Sequence, residues 1–478
     1  MIELLINVIC AMDQNKVKSF INNFWEEKAI PGLEAFIKIP NKSPEFDDDW
    51  ERNGHMDNAV QSIIDWCNNN KIKNMSYKII KDKGRTPLIL INIPGDIKKN
   101  ILIYGHIDKQ PEMTGWDDDL GPYQPKIKNG NLYGRGAVDD GYAIFSAFSS
   151  IKAIEKQNLS YPNIQIMLEA SEESGSIDLP FYMEKYAPEI KLPDLVICLD
   201  SGCADYERLW LTSSLRGMLA GNITIKVLQE GVHSGMAGGI VPSASNILMR
   251  QLLKISDTDN ILTLPEFKAN IPKERIAQIN ETAKILGDKV FKDFPFSQKT
   301  KPLTEDNKQL IINQTWLNSY EIIGIDGIPN TVDAGNVHIP KITAKISFRL
   351  PPTCNANNAA EAIKNELEKN TPQNSLVEFT PITSNNGWHS QIEDESITKL
   401  YNKASLNYFG KECAFMGEGG SIPIINMLSE KFPQAKLLVT GVLGPDGNAH
   451  GPNEFLRIDK VVKFSCCLAE IIHKFFQD

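Results

Sequence analysis

The chain has 478 residues, of which 42% are hydrophobic and 23% are charged, and its formal net charge at pH 7 is −10. A chain of this length is too long to fold around one hydrophobic core, so we expect about two domains, each large enough to be stable without disulfides. The acidic balance excludes a typical nucleic-acid-binding surface, because phosphate contacts need clustered Lys and Arg side chains.

The first ten residues, MIELLINVIC, are apolar but too few to cross a bilayer, which takes roughly 20 residues. They also lack the basic start and the small-residue cleavage site of a secretory signal. We predict no transmembrane helix and no membrane partner. The eight cysteines include no CxxC pair, which is typical of buried free thiols in a reducing compartment and predicts a cytoplasmic protein.

Short β-rich runs alternate with helical stretches between residues 85 and 205, which predicts an α/β fold with a mixed, mostly parallel sheet and helices on both faces. The predicted strands are residues 87–93, 100–107, 163–170 and 194–200. Residues 139–157 begin with aspartates, carry apolar residues at helical spacing and end with lysines, which favours a helix. Sheets of this type bind their ligands beyond the carboxyl ends of the strands.

Candidate functional residues follow three of these strands. His106 and Asp108 end one strand, Glu172 and Glu173 follow another in EASEESGS, and Asp200 ends the apolar run LVICL. An unpaired carboxylate is costly to desolvate there, so a cation or a hydrogen-bond cluster is expected. Taken alone, the HxD triplet also fits a hydrogen-bonded pair, and the two glutamates also fit a solvated acidic turn.

Two further segments complete the candidate site. Asp139 and Asp140 follow LYGRGAV, whose glycines allow close backbone approach and favour a buried bridging role for Asp139. Asp140 is more typical of a helix cap. His450 lies in GPDGNAHGPNE, a loop without a core-forming pattern. Such imidazoles and carboxylates suit two divalent metals that share one carboxylate, with one acid left to move protons.

The pattern changes from about residue 208, which predicts an inserted, smaller α+β domain. Its predicted elements are strands at 219–229 and 341–350 and helices at 242–255 and 358–370. The α/β pattern returns after about residue 386, with a helix at 396–409, a strand at 436–443 and a helix at 459–476. Because His450 must reach the same metals as His106, we predict a discontinuous catalytic domain of residues 1–207 and 386–478. Residues 208–385 would form a lid and dimerisation domain.

Glycine-rich segments predict contacts with the substrate. GVHSGMAGG carries His233, and GEGGSIP offers backbone amides and Ser421, which suit a carboxylate. Arg349, in the apolar strand ISFRL, is a candidate bidentate partner for that carboxylate. A salt bridge at a strand edge explains Arg349 equally well.

The chain resembles, in the order and spacing of eight segments, a dinuclear-metal peptidase family. This family comprises carnosine dipeptidases, cytosolic nonspecific dipeptidases and related succinyl-diaminopimelate desuccinylases and aminoacylases. The segments are YGHIDKQP, WDDDLGPYQP, LYGRGAVDDG, EASEESGS, LVICLDSG, HSG, GEGGSIP and NAHGPNE. The resemblance runs from about residue 20 to the C-terminus and implies a di-zinc exopeptidase-like fold with an inserted lid domain.

The resemblance implies a role for each matching residue. It implies that His106, Asp139 and Asp200 bind one metal and that Asp139, Glu173 and His450 bind the other. Glu172 would be the general base, and Asp108 would support the metal site. Each subunit would hold two divalent ions; carboxylate and imidazole ligands accept zinc, manganese and cobalt, of which we predict zinc.

The resemblance also implies a homodimer formed through the lid domain. His233 would stabilise the oxyanion in the active site of the other subunit. Arg349 and Ser421 match positions that bind the substrate's terminal carboxylate, and Asn336 matches a partner-subunit contact after a one-residue shift. Dipeptidases of the family usually carry an arginine where this chain has Gly417.

We therefore predict a metal-dependent exopeptidase that hydrolyses dipeptides or short peptides. Glu172 would take a proton from a metal-bridging water and pass it to the departing amine. The main alternative is an N-acyl-amino-acid deacylase on the same fold. A noncatalytic peptide-binding protein is a further hypothesis, although every candidate metal ligand and the candidate base are present.

Overall fold

The computed structural model describes residues 12–257, 259, 261–391 and 394–477, which form two compact units. The first unit takes the described residues of Met1–Thr212, Gln391–Phe415 and Met427–Asp478, and the second takes those of Ser213–Ser390 and Met416–Asn426. Among these residues no helix is both long enough and apolar enough to span a membrane. The catalytic and lid roles of the chain segments remain predictions.

The strands differ in length from two to ten residues. In chain order they are β1 (Ser76–Ile80), β2 (Leu88–Ile93), β3 (Ile97–His106), β4 (Lys126–Lys128), β5 (Asn131–Tyr133), β6 (Pro162–Glu169), β7 (Leu195–Cys198), β8 (Trp210–Leu215), β9 (Gly217–Lys226), β10 (Val232–His233), β11 (Ser319–Asp326), β12 (Val337–His338), β13 (Lys341–Leu350), β14 (Leu376–Asn385), β15 (Trp388–His389), β16 (Ala414–Glu418), β17 (Lys436–Val439) and β18 (Phe455–Arg457).

Helices flank the strands along most of the described chain. In chain order they are α1 (Gln14–Phe24), α2 (Ile30–Ile37), α3 (His55–Asn69), α4 (Tyr142–Lys156), α5 (Leu179–Lys185), α6 (Ser234–Ala237), α7 (Ala244–Ile255), α8 (Lys273–Leu286), α9 (Lys289–Lys292), α10 (Asn307–Thr315), α11 (Ala356–Glu368), α12 (Glu395–Phe409), α13 (Pro423–Lys431) and α14 (Ile458–Lys474).

The first unit is built on a six-stranded sheet with the order β1-β2-β6-β3-β7-β17. β3 runs parallel to β6 and β7, and β17 runs parallel to β7, whereas β1 and β2 are antiparallel to their neighbours. The second half of β3, Ile101–His106, is buried at every residue, so both faces of the strand are covered, as expected for parallel sheets. The predicted mixed, mostly parallel sheet with flanking helices is confirmed.

Helix α4 packs against α14 at the centre of this unit. Serines on the facing surfaces let the helices approach closely: Ser150 Oγ donates to Ser465 O over 2.8 Å, and Ser465 Oγ lies 3.1 Å from Ser146 Oγ. Helix α4 begins at Tyr142, three residues later than predicted, with Gly141 at its N-cap. The expectation that Asp140 caps this helix is wrong, because its Oδ2 instead accepts the backbone N–H of His106 over 3.3 Å.

The second unit contains an antiparallel sheet with the order β11-β13-β9-β14. β13 alternates buried apolar residues with more exposed polar ones over its whole length, the period expected of a sheet with one covered face. Helices α7 and α11 supply the residues that cover this face. The predicted α+β architecture of the insertion is therefore present in this unit.

The described cysteines are free thiols, in agreement with the sequence prediction. Six of them are buried and Cys413 is partly buried. Cys10 lies outside the described residues, as do the first eleven residues as a whole.

Candidate active site

The predicted metal ligands lie at the ends of elements of the first unit. His106 is the last residue of β3, Glu173 lies in a 3-10 turn after β6, and Asp200 follows β7 by two residues. Asp139 precedes α4, and His450 lies in the loop between β17 and β18. Because β3, β6 and β7 are parallel neighbours, their carboxyl ends meet at one edge of the sheet.

Asp139 lies between the two imidazoles. Its Oδ1 is 3.2 Å from His106 Nε2, and its Oδ2 is 3.0 Å from His450 Nε2. On the His106 side, Asp200 Oδ2 is 3.9 Å from the same Nε2. On the other side, Glu173 Oε2 is 3.3 Å from His450 Nε2. These contacts define two groups of possible metal ligands. One consists of His106, Asp139 and Asp200, and the other of Asp139, Glu173 and His450. Within each group the donor atoms lie within 4.8 Å of one another.

Asp108 fixes the turn that carries the two glutamates. Its Oδ1 accepts the backbone N–H of Glu172 over 3.1 Å, and its Oδ2 accepts that of Glu173 over 3.0 Å. Its backbone oxygen lies 3.1 Å from His106 Nδ1, which leaves Nε2 of that ring facing Asp139 and Asp200. Asp108 therefore orients an imidazole on one side and a pair of carboxylates on the other, the arrangement by which outer residues commonly position metal ligands.

Glu454 holds the loop that carries Asp139. Its carboxylate accepts the backbone N–H groups of Gly136, Val138 and Asp139 at 3.1–3.3 Å, and Arg135 Nη1 pairs with it over 2.6 Å. Both partners of this ion pair are buried, with Arg135 at 1% and Glu454 at 0% exposure. The position of Asp139 thus depends on two separate segments of the first unit's chain, one with Arg135 and one with Glu454.

The site carries more negative charge than its own partners neutralise. Burial raises the pKa of Glu172, and the nearby Asp200 raises it further. Burial also raises the pKa of Glu173, and Asp139 adds to this. Glu173 Oε1 is buried without a hydrogen-bond partner in the described part of the chain. A buried carboxylate oxygen of this kind calls for a cation, so the donor set fits divalent metals.

The histidine of the first group is tuned by the same carboxylates. Burial lowers the pKa of His106, but its hydrogen bonds to Asp108 and Asp139 outweigh this effect and raise the pKa. The acidic surroundings therefore favour a positive charge at the position of the His106 ring. A metal ion bound at Nε2 would supply that charge while keeping the imidazole neutral.

The predicted substrate residues lie in the second unit. Arg349 is half-buried on β13, opposite Ser319 of β11. Ser421 Oγ donates to the backbone oxygen of Arg216 over 2.6 Å. His233 ends β10, is exposed, and accepts the N–H of Gly235 at its Nδ1 over 3.1 Å. Asn336 is exposed, and its backbone oxygen accepts the N–H of Ser234 over 2.9 Å.

Gly417, where the resemblance predicts an arginine, is closely surrounded. A Cβ at Gly417 would lie 2.6 Å from Ser214 Oγ and 2.8 Å from Thr315 Cβ. This chain therefore has no room for an arginine side chain at position 417 with its present neighbours.

Sequence reasoning missed several residues that shape the site. Lys109 Nζ is fully buried and donates to the backbone oxygens of Phe36 and Ile39 over 2.9 and 2.7 Å. Gln110 Nε2 donates to Glu173 Oε2 over 2.7 Å. Like Arg135, Glu169 and Glu454, these residues lie inside the motifs that carry the family resemblance. Their local sequence does not distinguish them from their neighbours.

Several known proteins of similar sequence are dipeptidases. The chain is 28% identical over 396 residues to the Cys-Gly metallodipeptidase of Saccharomyces cerevisiae, covering 79% of each chain. It is 26% identical over 383 residues to the cysteinylglycine-S-conjugate dipeptidase of Corynebacterium striatum, covering 78% of this chain and 80% of that one. It is also 26% identical over 379 residues to the human β-Ala-His dipeptidase, covering 77% and 73%.

Solved structures share the fold. The dipeptidase Dug1p of Saccharomyces cerevisiae matches with a TM-score of 0.74 at 23% identity, covering 97% of this chain and 98% of that one. Human carnosine dipeptidase 1 matches with a TM-score of 0.74 at 20% identity, covering 96% and 98%. The model of Peptidase family M20/M25/M40 matches residues 102–474. The family resemblance and the assignment to hydrolases are thereby confirmed, and the chain belongs to Peptidase family M20/M25/M40.

Proposed function

We propose that the chain is a metal-dependent exopeptidase that hydrolyses dipeptides or short peptides. The observation that carries the proposal is the position of Asp139, whose two oxygens each face a different imidazole at 3.2 and 3.0 Å. A shared carboxylate between two sets of nitrogen and oxygen donors is the arrangement that a two-metal hydrolytic site requires. The relatives named above support dipeptides as the substrate class.

The proposed ligands are His106, Asp139 and Asp200 for one ion and Asp139, Glu173 and His450 for the other. Mixed imidazole and carboxylate donors suit zinc, and they also accept manganese or cobalt. When bound, the ions supply Lewis-acid polarisation of the scissile carbonyl and make water more acidic. We propose zinc as the working metal, with two ions in each subunit.

Glu172 is the proposed general base. Its backbone N–H is held by Asp108, and burial raises its pKa, so it is suited to receive a proton and to give it up again. It would accept the proton of the attacking water and deliver it to the departing amine, as general acid–base catalysis requires of one group in two steps. Asp108 would position Glu172 and Glu173 without touching the substrate.

The second unit supplies the proposed substrate contacts. Arg349 forms no ion pair with a carboxylate of the described residues, so its guanidinium is available to the terminal carboxylate of a peptide. Ser421 would contribute its hydroxyl to the same carboxylate. We assign Arg349 to a lid and dimerisation domain at residues 208–385. The catalytic groups and Ser421 fall in the proposed catalytic domain of residues 1–207 and 386–478.

His233 and Asn336 are the proposed contacts across a homodimer. Both are exposed on the second unit, where the nearby apolar side chains of Val232, Met236 and Val337 are exposed as well. Apolar side chains grouped in this way are typical of a subunit interface. His233 would stabilise the oxyanion in the partner's site.

We also propose a cytoplasmic location, which the free buried thiols support.

The test is the variant Glu172→Gln, which keeps the size of the side chain and removes the base. We expect turnover of Cys-Gly and of β-Ala-His to fall by about 10²- to 10⁴-fold, while metal analysis still finds both ions. The control variant is Glu184→Gln, because Glu184 is exposed on α5. Near-normal activity of the Glu172 variant would exclude Glu172 as the base.

The same assay separates peptidase from deacylase activity. We expect hydrolysis of dipeptides with a free amino terminus and little hydrolysis of acetyl- or succinyl-amino acids. The reverse preference would assign the chain to the deacylases of this fold.

Light scattering of the purified protein tests the homodimer, and a monomer at the assay concentration would exclude His233 from a role in a partner's site.

A further inference from the structure

A cavity of about 430 Å³ lies within the second unit, between the end of its sheet and the helical segment that follows α7. Its walls are mostly apolar, with Ile261, Val290, Phe291, Pro302 and Leu310 among the lining residues. The volume is in the range of sites that hold small organic ligands. Phe294, Phe296 and Leu303 also line it and are 40–71% exposed.

A buried arginine lines this cavity. Arg216 is 8% exposed, and two of its nitrogens have protein acceptors. Nε donates to Gly419 O over 3.1 Å, and Nη1 donates to Leu317 O and Ser319 Oγ, each over 3.2 Å. Nη2 has no acceptor among the described residues. The side chain is thus fixed at two nitrogens, and one N–H-bearing nitrogen remains for a ligand.

The charge of Arg216 is not balanced by the protein around it. No carboxylate of the described residues forms an ion pair with its guanidinium, and the charged group that shifts its pKa is Arg349, also a cation. Burial and Arg349 lower the pKa of Arg216 to about 10, so the group stays protonated at neutral pH. Asp259 and Glu321 line the cavity but are exposed, and Lys301 pairs with Glu305 over 3.4 Å.

The wall that includes Asn318 is held in place by hydrogen bonds of its own. Asn318 is buried, its Oδ1 accepts the N–H of Leu262 over 2.5 Å, and its Nδ2 donates to Leu262 O over 3.2 Å. Gly419 keeps the space beside the guanidinium free, because a Cβ there would lie 3.2 Å from Arg216 Nη2. Arg216 and Asn318, two polar residues that line the cavity, are therefore held in place by hydrogen bonds within the protein.

We propose that this cavity binds a small organic anion, namely a carboxylate attached to an aromatic or branched aliphatic group, with the carboxylate on Arg216 and the apolar group against Phe291 and Leu310. A buried guanidinium without a counter-ion is stabilised when an anion binds to it, and the charge-assisted hydrogen bond that forms in such a site is strong. The apolar walls favour an apolar body over a bare ion. The ligand can be a free acid or the carboxyl-terminal residue of a peptide, since both present this chemistry.

The test is isothermal titration of the full chain with 3-phenylpropanoate, as purified and again after chelation of metals. We expect binding that persists after chelation, because the cavity contains none of the proposed metal ligands. The uncharged 3-phenylpropanol should bind at least about tenfold more weakly, since it cannot form the charge-assisted hydrogen bond to Arg216. Titration of the chelated chain and of its Leu310→Trp variant with Ala-Phe and with its amide distinguishes a peptide terminus from a free acid. Binding of either acid that Leu310→Trp weakens supports the proposal.

Three variants localise the binding. Arg216→Met removes the guanidinium, and Leu310→Trp removes space from the apolar wall while keeping the arginine. Each variant should weaken binding by at least about tenfold. Arg250→Met, at an exposed position of α7, should leave it within about twofold. If Arg216→Met fails to fold, Leu310→Trp decides. The proposal is overturned if the wild type does not bind 3-phenylpropanoate, if the alcohol binds equally well, or if Leu310→Trp binds like the wild type.

Discussion

The buried pair of Arg135 and Glu454 allows a prediction with a magnitude. Glu454→Gln keeps the volume of the side chain but leaves the guanidinium of Arg135 without a counter-charge. It also replaces one carboxylate oxygen with an amide that has to face N–H donors, because both oxygens accept backbone N–H groups of residues 136–139. Breaking a buried ion pair from one side costs about 3–5 kcal/mol. We expect a loss of this size in the free energy of unfolding of the first unit.

The assay is urea unfolding of the metal-free chain, followed through the transition of the first unit. Arg135→Met combined with Glu454→Gln should recover about 1 kcal/mol or more, because the uncompensated charge is then absent. Glu395→Gln is the matched control. Its carboxylate pairs with Lys399 over 2.7 Å, but both side chains are more than 70% exposed, and the variant should unfold like the wild type.

The same substitution should weaken metal binding by about 10- to 100-fold, as is usual when an outer residue that positions a ligand is lost. Competition with a chromogenic chelator measures this. The reasoning fails if Glu454→Gln unfolds and binds metal like the wild type, because the carboxylate would then contribute nothing to the Asp139 loop.

Four further predictions follow from single features. Glu169→Ala removes the acceptor of the buried Tyr104 hydroxyl at 2.6 Å and of Ser176 Oγ at 2.8 Å; we expect a loss of about 3 kcal/mol in urea unfolding, with Glu169→Gln losing less. Lys109→Met leaves the backbone oxygens at the end of α2 without the Nζ donor, and we expect a loss of about 2–4 kcal/mol in the same assay. Gly417→Ala forces a shift of Ser214 or Thr315, and a destabilisation of about 1–3 kcal/mol should appear in the thermal transition of the second unit but not of the first. Removal of metal by chelation should abolish peptidase activity and lower the melting temperature of the first unit. Addition of zinc at about 100 times its dissociation constant should restore about 2.7 kcal/mol; an unchanged melting temperature would contradict the proposed metal centre.

The regular part of the fold was predictable because its strands carry unambiguous patterns. β13 begins and ends at the predicted residues, 341 and 350, since its alternation of buried and exposed side chains is complete. β3 and β6 were predicted within a few residues from their apolar runs. β11 and β14 were not predicted, because most of β11 is exposed and β14 is interrupted by an irregularity between Pro381 and Thr383. An edge strand with little burial leaves a weak periodic signal.

The positions of the candidate ligands followed from the rule that parallel strands bring their carboxyl ends together. The network that holds them did not, because it is made of contacts between residues distant in sequence. Glu454 meets Arg135 across 319 positions, and nothing near either residue indicates its partner. Asp140 shows the same limit at short range. Its place before a helix suggested a cap, but its contact is with His106 on a different element.

The dependence of Asp139 on Glu454 has a consequence for biosynthesis. A ribosome that has just made the Asp139 loop must add more than three hundred residues before Glu454 and His450 exist. At about 5–20 residues per second this delay is on the order of half a minute. During that time His106 is the only imidazole of the proposed ligand set in the nascent chain, and the other proposed ligands are carboxylates that repel one another. The second of the two proposed ions can therefore bind only after the last segment is made, so enzyme released early by truncation would lack the complete two-metal centre.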